Sequence, residues 1–214
     1  MTRPSGGGRP KRRVPSERSD VNRAQLLEFV EGLRTEVQYI NFWYRMNRAQ
    51  VLVDIDERHG TPMTLVNAAL DAKRAEQREE RRNRGKAHDE YWCVFDRDEH
   101  PQFDEAVKLA RENGIGIAMS NPCLELWFVW HFADHTAHVE RDVMQRCAAE
   151  YLGCGKSLTD AALAKLAESG RYDAAKKRAL SMDARHEGDG SSPGTNPSST
   201  MHVLIDRIRR ADGA

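Results

Sequence analysis

Four short apolar runs alternate with amphipathic segments between residues 24 and 120, and this alternation limits the possible folds more than any other feature of the 214-residue chain. The runs are QLLEFVEG, QVLVDID, YWCVF and IGIAMS. Each run has the length of a strand, and each connection is long enough for a crossover. The pattern therefore predicts an α/β fold with a mostly parallel sheet that is flanked by helices.

The connecting segments carry signals for helix starts and stops. TEVQYINFWYRM has helical apolar spacing, with Thr35 as its expected N-cap. The next segment places Thr61 as N-cap and Pro62 at the first helical position, and its second half is densely charged. A third helix is expected from about residue 103 to 113, with Gly114 as its stop.

Composition divides the chain into three parts. Residues 1–22 are rich in Gly, Pro, Ser and Arg without apolar periodicity, which predicts a disordered basic tail. Residues 23–120 form the expected α/β core. Residues 121–214 carry helical patterns and are expected to form a helical part packed on that core. The aromatic side chains of LELWFVWHF within it are interpreted as core rather than as a base-stacking surface.

The overall charge points to no particular partner, since Lys plus Arg and Asp plus Glu both total 33. Four cysteines without CxxC spacing favour reduced thiols in a reducing compartment. No apolar run approaches the roughly 20 residues of a membrane span, and no hydrophobic segment follows the basic N-terminus. A cytoplasmic protein with no membrane contact is therefore expected.

Acidic residues follow two of the predicted strands. The third strand runs into Asp96, Arg97, Asp98 and Glu99, and the first ends at Glu31 and Gly32. A solvated turn explains a lone Asp-x-Asp. If the two strands are neighbours, however, three carboxylates converge at one edge of the sheet, and their repulsion is relieved by a cation. Oxygen ligands of this kind suit magnesium.

Several segments also carry a family resemblance. FVEGLRTE followed by a strand that ends in DRD resembles the Toprim domain of topoisomerases, primases and overcoming-lysogenization-defect nucleases. The chain more closely resembles the RloB family of restriction-linked and abortive-infection proteins. The segments that carry this resemblance are VEGLRTEVQYINFW, VFDRDEHPQFDEAVKLARENGI, AMSNPCLELWFVWHF and NPSSTMHVLIDRI.

The resemblance implies a Toprim-like Rossmannoid fold and magnesium-dependent phosphodiester hydrolysis, with manganese as a substitute ion. Glu31 matches the Toprim glutamate, a general acid/base or further ligand, and Asp96 and Asp98 match the metal-binding pair. The resemblance also implies Glu36 as a ligand for a second metal, but Leu33 replaces a glutamate that many family members carry, so the number of metals, one or two, stays open.

The resemblance also implies a nuclease that acts on DNA or RNA as an effector of anti-phage defence. A partner ATPase encoded nearby is expected to gate it, and a second copy of the chain is a further candidate partner.

Five residues near these motifs are candidates for substrate binding. Arg34 and Arg97 can neutralise phosphate or pair with the neighbouring acids. His100 can contact phosphate or assist proton transfer. Asn121 and Glu125 either face the same sheet edge or serve as the start and first turn of a helix.

Other chemistries fit the sequence less well. A dehalogenase-like phosphatase needs a further acidic pair, which IGIAMSNP lacks. The histidines of WHFADHTAH lack the HExxH pattern of a zinc enzyme, and GCGKS has no strand before it, so ATP binding by a P-loop is not expected. A non-catalytic nucleic-acid-binding or regulatory subunit remains the alternative from a different functional class.

Overall fold

The computed structural model describes residues 23–97, 100–192 and 194–209. The strands are β1 (Ala24–Val30), β2 (Val51–Ile55), β3 (Glu90–Asp96), β4 (Gly116–Asn121) and β5 (Ser198–Ser199). The helices are α1 (Thr35–Asn47), α2 (Pro62–Arg81), α3 (Phe103–Glu112), α4 (Leu124–Trp130), α5 (Arg141–Leu152), α6 (Asp160–Leu166), α7 (Arg171–Gly188) and α8 (Met201–Arg209). The basic tail predicted for residues 1–22 lies outside the described residues.

The five strands form one sheet in the order β2-β1-β3-β4-β5. The first four are parallel and β5 is antiparallel to β4, so the predicted mixed α/β fold with a mostly parallel sheet is confirmed. Because β1 lies directly beside β3, with Val30 opposite Val94, their carboxyl ends meet at one edge. The adjacency on which the converging carboxylates depend is thus present.

Alternate residues of the strands feed two separate apolar cores. Leu26 and Val30 of β1 belong to a core that also contains residues of α1, α4, α5, α7 and α8. Leu27 and Phe29 point the other way, into a core with α2 and α3. Burial on both faces explains why the strands read as continuous apolar runs rather than as alternating patterns.

The helix starts agree with the sequence in one case and differ in another. The Thr61 hydroxyl accepts a hydrogen bond from the Thr64 amide at 3.4 Å, and Pro62 is the first residue of α2, as predicted. The prediction of Thr35 as an N-cap is wrong, because Thr35 is already helical and Arg34 holds the cap position. The Thr35 hydroxyl instead donates to the carbonyl of Lys156, a tertiary contact.

The C-terminal part adds elements that the sequence pattern described only in part. α4 is short and ends at Trp130, and the two-residue strand β5 was not predicted. Trp127, Phe128 and Trp130 are fully buried, so their interpretation as core is confirmed. The division of the chain at residue 120 stays a prediction.

Two further expectations concern the state of the cysteines and the presence of membrane-spanning helices. All four cysteines are free thiols, as predicted. Within the described residues no helix has the length and apolar character needed to cross a bilayer.

Candidate functional site

Glu31 and Asp96 meet where β1 and β3 end. The Glu31 amide donates to the Val94 carbonyl at 2.9 Å, which continues the pairing of the two strands by one residue. The Asp96 amide in turn donates to Glu31 Oε2 at 3.1 Å. The glutamate carboxylate is therefore held over the end of β3, beside the aspartate that the sequence pairs with it.

Glu36 joins this edge from the first turn of α1. Its carboxylate lies so close to Gly32 that a Cβ at position 32 would overlap it. The absence of a side chain at Gly32 thus leaves room for the Glu36 carboxylate, which would have to shift if position 32 carried a Cβ. Burial raises the pKa of Glu36, and the charges of Glu125 and Glu31 raise it further.

Asp96 is the most enclosed of these acids, with 13% of its side chain exposed. Burial raises its pKa well above the ordinary value, Arg141 opposes that shift, and the charges of Glu36, Glu125 and Glu31 add to it. The Arg141 guanidinium lies 3.2 Å from Asp96 Oδ2. The charges of Glu31, Glu36 and Glu125 therefore act on Asp96 together, and Arg141 acts against them.

Glu125 reaches this group from the first turn of α4. Its charge acts on Asp96 and Glu36, and burial together with Glu125 raises the pKa of the Cys123 thiol. The two interpretations of Glu125 are compatible, because it occupies a first helical turn and also belongs to the carboxylate group.

An open cleft of about 570 Å³ lies next to the carboxylates. It is bounded by the β3–α3 connection, the end of β4 and the start of α5. The polar side chains that line it include those of Arg97, His100, Asn121, His138 and Arg141. The acids Asp104 and Glu140 also line the cleft, which adjoins the carboxylate group through Arg141. The arginines are the lining groups that could bind a phosphate.

The predicted substrate-binding residues have different surroundings. Arg97 stacks on Phe103, 5.0 Å from Cζ to the ring centroid, and lies 3.9 Å from Asp104. His100 Nε2 is 3.8 Å from Glu31 Oε1. Arg34 is solvent-exposed at the start of α1.

Asn121 has a structural contact at the same edge. Its side-chain nitrogen donates to the carbonyl of Gly194 at 2.8 Å, which ties the end of β4 to the segment before β5. The amide group is therefore held in place by the C-terminal part of the chain.

Arg141 belongs to the site although the sequence did not indicate it, whereas the predicted ligand Asp98 is not among the described residues. Arg141 was missed because it stands 20 residues beyond β4 and reaches the sheet edge only through the packing of α5. Asp98, predicted as a ligand, lies outside the described residues. Among the residues that are described, no group of three or more His, Cys, Asp or Glu side chains is close enough to hold a metal ion.

The histidines of WHFADHTAH occupy separate environments. His131 is buried, where its Nδ1 bonds to the Trp127 carbonyl at 2.8 Å and burial lowers its pKa to about 4. His138 lines the cleft, and His135 lies at a second pocket between α4 and α7.

Comparison with known proteins identifies one family. A family model described as RloB-like protein matches residues 26–208, which include all strands and helices except the first two residues of β1 and the last residue of α8. No curated protein matches the chain.

Proposed function

Because the chain belongs to the RloB-like protein family, we propose that it is a metal-dependent nuclease that hydrolyses phosphodiester bonds of DNA or RNA. The observation that carries the proposal is the convergence of Glu31, Glu36, Asp96 and Glu125 at the carboxyl edge of neighbouring parallel strands. Ligands of open α/β sheets bind at this edge.

The donor set suits a divalent cation in its chemistry. All four groups are carboxylates, the hard oxygen donors that magnesium and manganese prefer, and their mutual repulsion is reduced when a cation is shared. Glu31, Glu36 and Asp96 would hold the ion, with Asp98 as a further proposed ligand. These carboxylates would have to move closer together on binding, because no three described His, Cys, Asp or Glu side chains lie close enough in the structure to hold a metal ion. When bound, such an ion polarises the scissile phosphate and stabilises charge on the leaving oxygen.

The remaining chemistry belongs to the side chains. Glu31 would take a proton from the attacking water, a role supported by its position, where its carboxylate accepts a hydrogen bond from the Asp96 amide and lies near His100. Arg97 and His100 line the cleft and would orient the phosphate. Water adds to phosphorus, the phosphorus–oxygen bond to the leaving nucleotide breaks, and that oxygen acquires a proton.

The biological setting is proposed from the family alone. We infer an effector of anti-phage defence that acts in the cytoplasm and is kept latent until a partner ATPase releases it. The alternative is a regulatory subunit that binds nucleic acid through the cleft without cleaving it. In that case the carboxylates would serve binding or structure rather than turnover.

Controlled expression in cells distinguishes the two. The chain, Glu31→Gln and Asp96→Asn would each be expressed with and without the neighbouring ATPase, with growth and total DNA and RNA as readouts. Growth arrest with fragmentation of one polymer in the unaltered chain, and neither effect in the variants, is the expected result. Equal toxicity of all three proteins would overturn the catalytic proposal.

A further inference from the structure

Arg141 is the first residue of α5 and connects the carboxylate group to the cleft. Its Nη2 lies 3.2 Å from Asp96 Oδ2 and 3.3 Å from the carbonyl of Pro122, to which it donates. The side chain is 38% exposed and lines the cleft. One guanidinium thus reaches the most enclosed acid of the site while remaining open to solvent.

Burial and the other carboxylates raise the pKa of Asp96 and of Glu36, and the charge of Arg141 lowers both. In the structure this guanidinium therefore provides compensation that a bound divalent cation would also provide. Hard oxygen ligands bind such a cation at about 2.0–2.6 Å. A divalent cation at that distance from Asp96 Oδ2 would be strongly repelled by the guanidinium if Arg141 stayed at its present position, 3.2 Å from the same oxygen.

We propose that Arg141 is a built-in counter-ion that competes with a divalent cation for Asp96 and turns into the cleft when the cation binds. This inference rests on the proposed function, because it takes Asp96 as a metal ligand. The cleft has room for the movement, since about 570 Å³ of open space adjoins the guanidinium. Once it has turned into the cleft, Arg141 lies where the substrate phosphate is proposed to bind. In the metal-bound protein it would therefore help to position that phosphate.

Arg97 provides a matched control. It lines the same cleft and carries the same charge, but its guanidinium stacks on Phe103 and lies 3.9 Å from Asp104 rather than on Asp96. A general effect of removing positive charge from the cleft would appear equally in variants of Arg97 and Arg141. Direct competition for Asp96 would appear only with Arg141.

The test measures binding of Mn²⁺ alone by isothermal titration calorimetry, without nucleic acid, near pH 8. Arg141→Met preserves the aliphatic stem and is expected to bind Mn²⁺ about tenfold more tightly than the unaltered chain, which corresponds to about 1.4 kcal/mol. Arg97→Met is expected to stay within about twofold of the unaltered chain. An unchanged or weaker affinity for Arg141→Met, or an equal gain for Arg97→Met, would overturn the inference.

A second variant keeps the proposal testable if Arg141→Met does not fold, as judged by circular dichroism. Arg141→Lys retains a cation but replaces the planar guanidinium by a single ammonium that cannot bridge Asp96 and Pro122 in the same way. It is expected to bind Mn²⁺ about threefold more tightly, and an unchanged affinity would count against competition. Cleavage with no shift in Mn²⁺ affinity refutes the counter-ion inference alone, whereas a shift without cleavage refutes the nuclease proposal alone.

Discussion

Glu28 predicts an unusual pH dependence of stability. This residue lies in the central strand β1 between Ile55 of β2 and Trp92 of β3, and it is fully buried. Neither of its carboxylate oxygens has a hydrogen-bond partner in the described residues. Burial raises the pKa of Glu28 from 4.5 to about 8. The folded protein therefore holds a proton on Glu28 at neutral pH that the unfolded chain releases.

The sign and size of the effect follow from this difference. Since the folded state binds the extra proton, its contribution to stability is fully present below the unfolded pKa of 4.5 and is lost as the pH rises through about 8. At about 1.36 kcal/mol per pKa unit, the free energy of unfolding should fall by about 2 to 3 kcal/mol between about pH 5.5 and pH 7.5 through Glu28 alone.

Urea unfolding of the unaltered chain and of Glu28→Gln at several pH values measures the difference. The glutamine preserves the shape but does not titrate, and contributions from other groups cancel when the two curves are subtracted. The unaltered chain is expected to lose about 2 to 3 kcal/mol relative to the variant over this range. Parallel curves would refute the reasoning, because they would mean that Glu28 has a similar pKa in the folded and unfolded states.

Two further predictions concern Gly32 in the site and His88, which lies shortly before the first residue of β3. Gly32→Ala should displace the Glu36 carboxylate and lower the affinity for Mn²⁺ in calorimetry, whereas Gly155→Ala, where an added Cβ meets no atom within 4 Å, should leave that affinity unchanged. Equal affinities for the two variants would contradict the proposed role of Gly32. His88→Ala should cost about 1 kcal/mol in urea unfolding below pH 6.5, with a smaller cost at higher pH. Burial opposes protonation of His88, but its hydrogen bonds with carboxylates, including Glu76 at 2.8 Å, raise its pKa, so a cost that grows with pH would contradict this sign.

The sequence predicted those features that depend on chain order and apolar spacing. Four strands alternating with helices require crossover connections, so the parallel sheet follows from the pattern of residues 24–120. The strand ends that carry Glu31 and Asp96 were located because each follows an apolar run directly. The sequence could not show that these two strands are neighbours, and the observed strand order establishes it.

The features that the sequence missed depend on tertiary contacts. Arg141 comes from a helix distant in the chain, and no local pattern marks it as a partner of Asp96. Thr35 has the residue type of an N-cap, but its hydroxyl is drawn to a loop about 120 residues away. β5 has two residues and follows Pro197, which is too short for a strand pattern to register.

The most direct test of the proposed nuclease activity is cleavage of single- and double-stranded DNA and RNA by the purified chain, with the ATPase proposed as its partner added, in Mg²⁺, in Mn²⁺ and with the metal chelated. We expect cleavage of one polymer that requires the metal and falls by at least about 10²-fold in both Glu31→Gln and Asp96→Asn. Cleavage that survives chelation, or that both variants retain at the level of the unaltered chain, would contradict the claim that this carboxylate edge is a catalytic metal site.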